Sequence, residues 1–334
     1  MRCSLFMSCY HPLRAVVLGI NKDTGKRKIK VIKNSDFSYE NENVEYITIP
    51  CGHCIGCRLK YSRIWADRCM AESLYHKNNV FLTLTYDDTH LPRPLDIITE
   101  TGERKLSPVS PLVKRDLQLF IKRLRKRFSD QKIRYFACGE YGTKSMRPHY
   151  HLILFGLSLP DLELLYRNDS SFQYFTSEQI SSLWQYGFHI ITDVNWETCA
   201  YVARYIMKKQ YGQGANIYEE YNFPKEFTLM SRKPGIGREY FDDHKLDLYS
   251  DSKQCFIPTQ NGHREIKPNR YYDNLYDIEY PDHYEVIRDE RKAIAEKNEL
   301  LKSNLTSLSF LDRLKSEEVN SYDRIKSLKR SGVL

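Results

Sequence analysis

The chain has 334 residues, 41% hydrophobic and 28% charged, enough to bury at least one full core and leave length for a second module or helical appendage. No apolar run approaches membrane-spanning length, and the N-terminus lacks the basic patch and apolar stretch of a secretion signal, so a soluble cytosolic protein without a membrane partner is expected. Nine clustered cysteines then argue against a disulfide framework and for a metal, and a net charge of +8, unevenly spread, points to a polyanionic partner.

In chain order, the first segment is cysteine-rich and ends in a helix predicted over 57–75. The string "VFLTLTY" at 80–86 has the β-branched and aromatic enrichment of a buried strand. A proline-rich loop covers 91–111. Ser110 offers an N-cap with Pro111 at the first helical position, and Leu117, Phe120, Ile121, Leu124 and Phe128 recur at helical spacing. The outer face of that helix is basic, since 114–127 holds seven bases against one acid. Lys122, Arg123, Arg125 and Lys126 are therefore candidate phosphate contacts, a plain solvated face being the alternative.

Two strands, 133–138 and 149–155, flank a loop containing Gly139, Gly142 and Pro148 and are expected to form an antiparallel hairpin. Ser177 caps a short helix running to 186, a strand follows at 188–194, and a helix at 198–209. The order β-α-β-β-α-β-α predicts an α+β fold of ferredoxin-like or RRM-like layout, an antiparallel sheet with helices on one face. Beyond 212 the periodicity weakens, and a charged helical tail begins near 285. Within this stretch the loop "SRKPGIGR" offers Arg232, Lys233 and Arg238, with glycines that would let backbone N–H groups approach a phosphate; an ordinary turn is an equal alternative. Three parts are expected: a cysteine-rich module over 1–75, a catalytic domain over 76–212 and a DNA-contacting extension over 213–334. No internal repeat is present.

His149 and His151 lie two apart on a strand and so project from one face. A hairpin turning near 143–146 brings Glu140 opposite them. Two imidazoles and a carboxylate suit Mn²⁺ or Mg²⁺ and leave positions open for water or a phosphate oxygen; two solvent-facing histidines are the plainer alternative. Tyr201 and Tyr205 lie four apart on a helix and share a face, where both hydroxyls could attack one phosphate. Arg204 and Lys208 supply cations for phosphate oxygens or for developing phenolate charge. An amphipathic helix packing two aromatics is the competing explanation.

Cys51, Cys54 and Cys57 have knuckle spacing, and tetrahedral zinc needs a fourth ligand. Cys9 is the first choice, with His53, Cys69 and Cys3 as alternatives; reduced thiols or an iron–sulfur cluster fit the spacing too. Cys138 and Cys199 fall within strand and helix patterns and are expected to be small buried hydrophobes. The 25 tyrosines offer stacking platforms for unpaired bases.

These motifs together resemble a known family. "RPHYHLILFG" resembles the HUH motif of rolling-circle replication initiators, "FLTLTYDD" their upstream strand motif and "YVARYIMKK" their two-tyrosine motif, in the family's order. With "CYHP", "PCGHCIGCR" and "MSRKPGIG" added, the set is similar to the initiators of gokushoviruses, a branch of the Microviridae, over about 9–240. The resemblance implies an HUH endonuclease that nicks single-stranded DNA at a replication origin, in the cytoplasm of a bacterial host. Its implied partners are a host DNA polymerase and helicase. His149 and His151 would be metal ligands, Glu140 would match the third ligand of some relatives, and Tyr201 and Tyr205 would alternate as nucleophiles. Many relatives carry Lys where Arg204 stands, and arginine is too weak an acid to donate a proton readily, which leaves Lys208 or water for that role. A plasmid initiator, an HUH transposase or relaxase, and a non-catalytic zinc-containing DNA-binding protein are the alternatives.

Overall fold

The computed structural model describes residues 9–20, 27–32, 44–98, 102–142, 145–168, 172–205, 218, 220–251, 253–259 and 262–327. They fall into two compact units, one formed by 1–61 with 286–330 and one by 62–285 with 331–334. The chain runs through β1 (Leu13–Ile20), β2 (Arg27–Val31), β3 (Tyr46–Ile49), α1 (Ile55–Ser73), β4 (Asn79–Tyr86), β5 (Asp96–Ile98), β6 (Arg104–Leu106) and α2 (Lys114–Arg127). It continues through β7 (Arg134–Tyr141), β8 (Pro148–Phe155), β9 (Leu162–Arg167), β10 (Gln173–Ser177), α3 (Glu178–Leu183), β11 (Gly187–Asp193) and α4 (Trp196–Tyr205). Last come β12 (Phe227–Met230), α5 (Arg238–Leu248), β13 (Cys255–Thr259), β14 (Gly262–Ile266), α6 (Arg270–Glu279), α7 (Pro281–Asn304) and α8 (Phe310–Ser327).

The second unit is built on a seven-stranded antiparallel sheet in the order β12-β7-β8-β4-β11-β10-β9. At its centre β4 and β8 are buried along nearly their whole length, so both sets of alternating side chains need cover. Leu82, Leu84 and Tyr86 of β4 and Tyr150, Leu152 and Leu154 of β8 form one core with Leu117, Phe120, Ile121 and Leu124 of α2 and Ile180 and Leu183 of α3. On the opposite face Trp65 of α1 stacks on Phe136 of β7 at 4.8 Å between ring centroids, and Tyr201 of α4 meets Phe81 of β4 edge-on at 6.2 Å. Helices therefore cover both faces, which corrects the expectation of helices on one. Strands without a polar face cannot leave one side to water.

The predicted N-cap of α2 is also corrected. The helix begins at Lys114 after Val113, with no side-chain cap. Ser110, Pro111 and Leu112 are buried, and the Leu112 and Val113 N–H groups donate to the hydroxyls of Tyr141 and Tyr150 at 2.9 and 3.0 Å. Those tertiary bonds hold the segment extended until Lys114, overriding a local start signal. Ser177, by contrast, caps α3 as expected, its hydroxyl accepting from the Ile180 N–H at 3.2 Å.

The predicted strand at 133–138 extends to Tyr141, and the stretch beyond 212, weak in periodicity, supplies β12 to the sheet edge as well as α5, β13, β14 and α6. Buried polar anchors order it. Arg68 of α1 donates to the Ile236 carbonyl at 2.8 and 3.0 Å, while Glu72 pairs with Arg134 and accepts from the Gly237 N–H at 2.7 Å. Gly237 has φ +74°, and a Cβ there would lie 2.6 Å from the Tyr272 hydroxyl, so glycine is required.

In the first unit, β2-β1-β3 form a small antiparallel sheet beside the start of α1. There α8 packs Leu314 against Tyr10 and Cys54.

Candidate active site

The register of the central strands lays two polar rows across the sheet face covered by α4. Glu140 of β7 lies opposite His149 of β8, which lies opposite Thr85 of β4, which lies opposite Phe188 of β11. Two residues along, the next row is Cys138, His151, Thr83 and Ile190. Period-two geometry puts all eight on one face. The alternate residues, including Tyr150 between the histidines, face α2, where the Tyr150 hydroxyl bonds to Tyr86 at 2.8 Å.

Each imidazole is held from behind by a threonine. The Thr83 hydroxyl and His151 Nδ1 share a hydrogen bond of 3.0 Å, and Thr85 and His149 Nδ1 one of 2.9 Å. His151 Nε2 faces Glu140 Oε1 at 3.0 Å, and both residues are buried, at 2% and 3% exposure. A nitrogen and an oxygen donor thus converge in a dry setting. The two imidazole rings stand 6.5 Å apart, wider than two imidazoles sharing one ion, so His149 must turn inward for all three to do so. Space on its flank depends on Gly142, where a Cβ would lie 3.0 Å from His149 Nε2.

Above this set stands Tyr201. Its ring lies edge-on to His151 at 5.5 Å and to Phe81 at 6.2 Å, while Phe81 stacks on His151 at 6.0 Å. The helix that carries it starts at a reciprocal cap: the Thr198 N–H donates to Asn195 Oδ1 at 2.7 Å and the Asn195 N–H to Thr198 Oγ1 at 2.9 Å. Its first residue is anchored by the Trp196 indole N–H, which donates to buried Asp67 at 2.8 Å. The backbone is helical to Tyr205, one turn beyond Tyr201. Lys208 and the side chains of Arg204 and Tyr205 lie outside the described residues.

Three tyrosines of the opposite face have their hydroxyls committed. Burial pushes Tyr150 up to about 12 and raises Tyr86 and Tyr141 well above the usual phenol value. These phenols stay protonated and structural.

Among the basic candidates, Arg123 donates to the Leu183 carbonyl and Arg125 to the Ile133 carbonyl, each at 3.0 Å, whereas Lys122 and Lys126 are exposed. All four lie on α2, across the sheet from Tyr201. Arg232 and Lys233 are exposed, and Arg238 pairs with Asp242 at 2.8 Å.

In the first unit the sulfurs of Cys9, Cys51, Cys54 and Cys57 all lie within 4.8 Å of one another, the one group of potential ligands that converges so closely among the described residues. Burial pushes the Cys9 thiol up to about 11. Burial works in the same direction on Cys54, but the Cys57 and Tyr10 N–H groups and the neighbouring thiols outweigh it and bring that thiol down to about 7. His53 is exposed, Cys69 lies buried in the second unit beside Cys199, and Cys3 lies outside the described residues.

Sequence reasoning missed Thr83, Thr85 and Phe188 as site residues. The signal for the threonines was two polar residues at period two inside an apolar strand. Phe188 is 68% exposed on a strand whose neighbours are buried or half-buried, which only the structure reveals.

A family model for the replication-associated protein ORF2 matches residues 79–210, from the start of β4 past the end of α4. The chain is 33% identical over 333 residues to the replication-associated protein ORF2 of Spiroplasma virus 4, covering 97% of this chain and 98% of that one. It is 30% identical over 287 residues to the replication-associated protein VP4 of Bdellovibrio phage phiMH2K, covering 83% and 79%. It is 32% identical over 238 residues to the replication-associated protein ORF4 of Chlamydia phage 1, covering 68% and 53%. No solved structure matches.

Proposed function

The chain belongs to the phage replication-associated proteins, and from that premise we propose that it starts rolling-circle replication of a single-stranded DNA phage genome by nicking one strand at the origin through Tyr201. The observation that carries the reading is the ring of Tyr201 set 5.5 Å from that of His151, which is itself bonded to Glu140 and backed by Thr83. The strand order β7-β8-β4-β11 and the succession β-α-β-β-α-β supply the ferredoxin-like frame on which an HUH site is built.

His149, His151 and Glu140 would hold Mn²⁺ or Mg²⁺, since two imidazole nitrogens and a carboxylate oxygen fit such an ion and its remaining water and phosphate ligands. Bound there, the ion supplies Lewis-acid polarisation of the scissile phosphate. The threonines let the imidazoles serve. A hydroxyl donates or accepts, so Thr83 accepts from a protonated Nδ1 when Nε2 presents its lone pair, and donates to Nδ1 when Nε2–H faces Glu140.

The Tyr201 oxygen attacks phosphorus; its P–O bond forms as the bond to the 3′ oxygen breaks, and the proton lost by tyrosine balances the one the 3′ oxygen gains. The product is a 5′-phosphotyrosyl link and a free 3′-hydroxyl, which a host polymerase extends while a host helicase opens the strand. Tyr205, one turn on, takes the second transfer that closes the circle. Arg204 binds phosphate oxygens but keeps its proton, leaving Lys208 or water to protonate the leaving oxygen.

Incubating the protein with Mn²⁺ and a labelled single-stranded origin oligonucleotide tests this. A covalent adduct is expected, mapped by peptide sequencing to Tyr201 or Tyr205 and absent from the protein with both changed to Phe. An adduct surviving in that variant would sink the tyrosine assignment. Oligonucleotide binding without any adduct would favour a non-catalytic DNA-binding module.

A further inference from the structure

We propose that Cys9, Cys51, Cys54 and Cys57 bind one zinc ion in a closed four-thiolate site that staples the N-terminal segment, the start of α1 and α8 into a single unit. This proposal does not depend on the nicking reading.

Spacing alone leaves a single ion, a cluster and free thiols open; the sulfur geometry separates them. Four sulfurs at about 2.3 Å from a tetrahedral ion are about 3.8 Å from one another. Cys54 and Cys9 are 3.9 Å apart, and all four sulfurs lie within 4.8 Å. A cubane cluster spreads its cysteines over different iron atoms and needs wider separations. Four soft sulfur donors in so small a space select zinc among the common divalent ions, and with every position filled by protein the site has no catalytic opening.

The surroundings are those of a ligated sulfur cage. The Cys51 N–H donates to the Cys9 sulfur at 3.2 Å, the Cys54 N–H to the Cys51 sulfur at 3.3 Å and the Tyr10 N–H to the Cys54 sulfur at 3.3 Å. Such bonds stabilise thiolates and fix their direction. Cys57 sits in the first turn of α1, where the helix dipole favours negative charge.

The cage also supports α8. Tyr10, next to Cys9, shares a 2.6 Å hydrogen bond with Ser321, and His11 pairs with Glu318 at 2.7 Å. Leu314 of the same helix packs on Tyr10 and Cys54. Without the ion, four crowded thiols tie down the Cys9 segment only through weak sulfur hydrogen bonds, and the contacts that hold α8 loosen with it.

Elemental analysis of the purified full-length protein is expected to give one zinc per chain, with no inorganic sulfide. Cys51→Ser should lose that zinc while Cys255→Ala, in β13, keeps it. Cobalt in place of zinc should give the thiolate-to-metal bands of a tetrahedral four-sulfur site. Iron with sulfide, no bound metal, or full zinc in Cys51→Ser would each overturn the site. Hydrogen exchange read by mass spectrometry tests the staple: removing zinc with a strong chelator should speed exchange across 310–327 while leaving β4 and β8 protected. Unchanged exchange in that helix would overturn the staple.

Discussion

Thr83 and Thr85 give the histidine pair its direction, and their effect is separable from the fold. Thr83→Val keeps the shape of the side chain but deletes the hydroxyl at His151 Nδ1. Loss of such a partner behind a metal-binding histidine costs about 10- to 100-fold in metal affinity. Calorimetric titration with Mn²⁺ should find that weakening, with circular dichroism unchanged; equal affinity would count against the role. Phe188 is the second residue whose placement demands a purpose, an aromatic ring open to solvent in the same row as His149 and Thr85. A ring there can stack on an unpaired base beside the scissile phosphate. Phe188→Ala is expected to weaken binding of a single-stranded origin oligonucleotide by about 5- to 100-fold, the range for removing one base stack, with the saturated cleavage rate unchanged. A defect confined to that rate would contradict the stacking role.

Among the elements, α1 does more than fill the sheet face. Its Glu72 joins Arg134 of β7, His76 and the Gly237 N–H in one buried network. Burial works to raise the Glu72 carboxyl, but the hydrogen bonds from His76 and Gly237 and the charge of Arg134 outweigh it and hold it below its ordinary 4.5. A carboxylate depressed in the folded state stabilises above the unfolded value, and that contribution is lost as pH falls through the folded one. Urea unfolding should therefore show wild-type stability falling more steeply on the acid side of 4.5 than that of Glu72→Gln. Near neutral pH the variant should be weaker by about 3–5 kcal/mol, because Arg134 is left buried without its counter-charge. Parallel pH profiles would place the acid sensitivity elsewhere.

At the scale of the whole molecule, the surplus of eight positive charges makes DNA binding salt-dependent, while the sheet separates binding from chemistry. Lys122 and Lys126 are exposed on α2, across the sheet from Tyr201. Changing both to Glu should reduce the slope of log affinity against log salt by about 0.7 for each phosphate that this face no longer neutralises, leaving single-turnover cleavage at saturating DNA unchanged. An unaltered slope would make this face an ordinary solvated surface.

Much of the site was legible in the order of residues alone. The two-residue spacing of His149 and His151, the four-residue spacing of Tyr201 and Tyr205 and the apolar stripe of α2 follow from backbone geometry within one element, which that order determines directly. What joins elements was not legible. Whether Thr83 backs His151 depends on a register between strands 68 residues apart in sequence, and slipping it by one residue would turn every histidine and threonine to the other face. Tyrosine hydroxyls from distant strands displaced the local start signal of α2, and β4 and β8, buried on both sides, drew helices to both sheet faces. Cys9 reached Cys51, Cys54 and Cys57 only by closing a long loop, with an entropic cost that no local pattern records. The sequence by itself thus determined the chemical groups and their spacing within each element. Only the tertiary structure decided which groups meet, because partners far apart in the chain are chosen by packing and register.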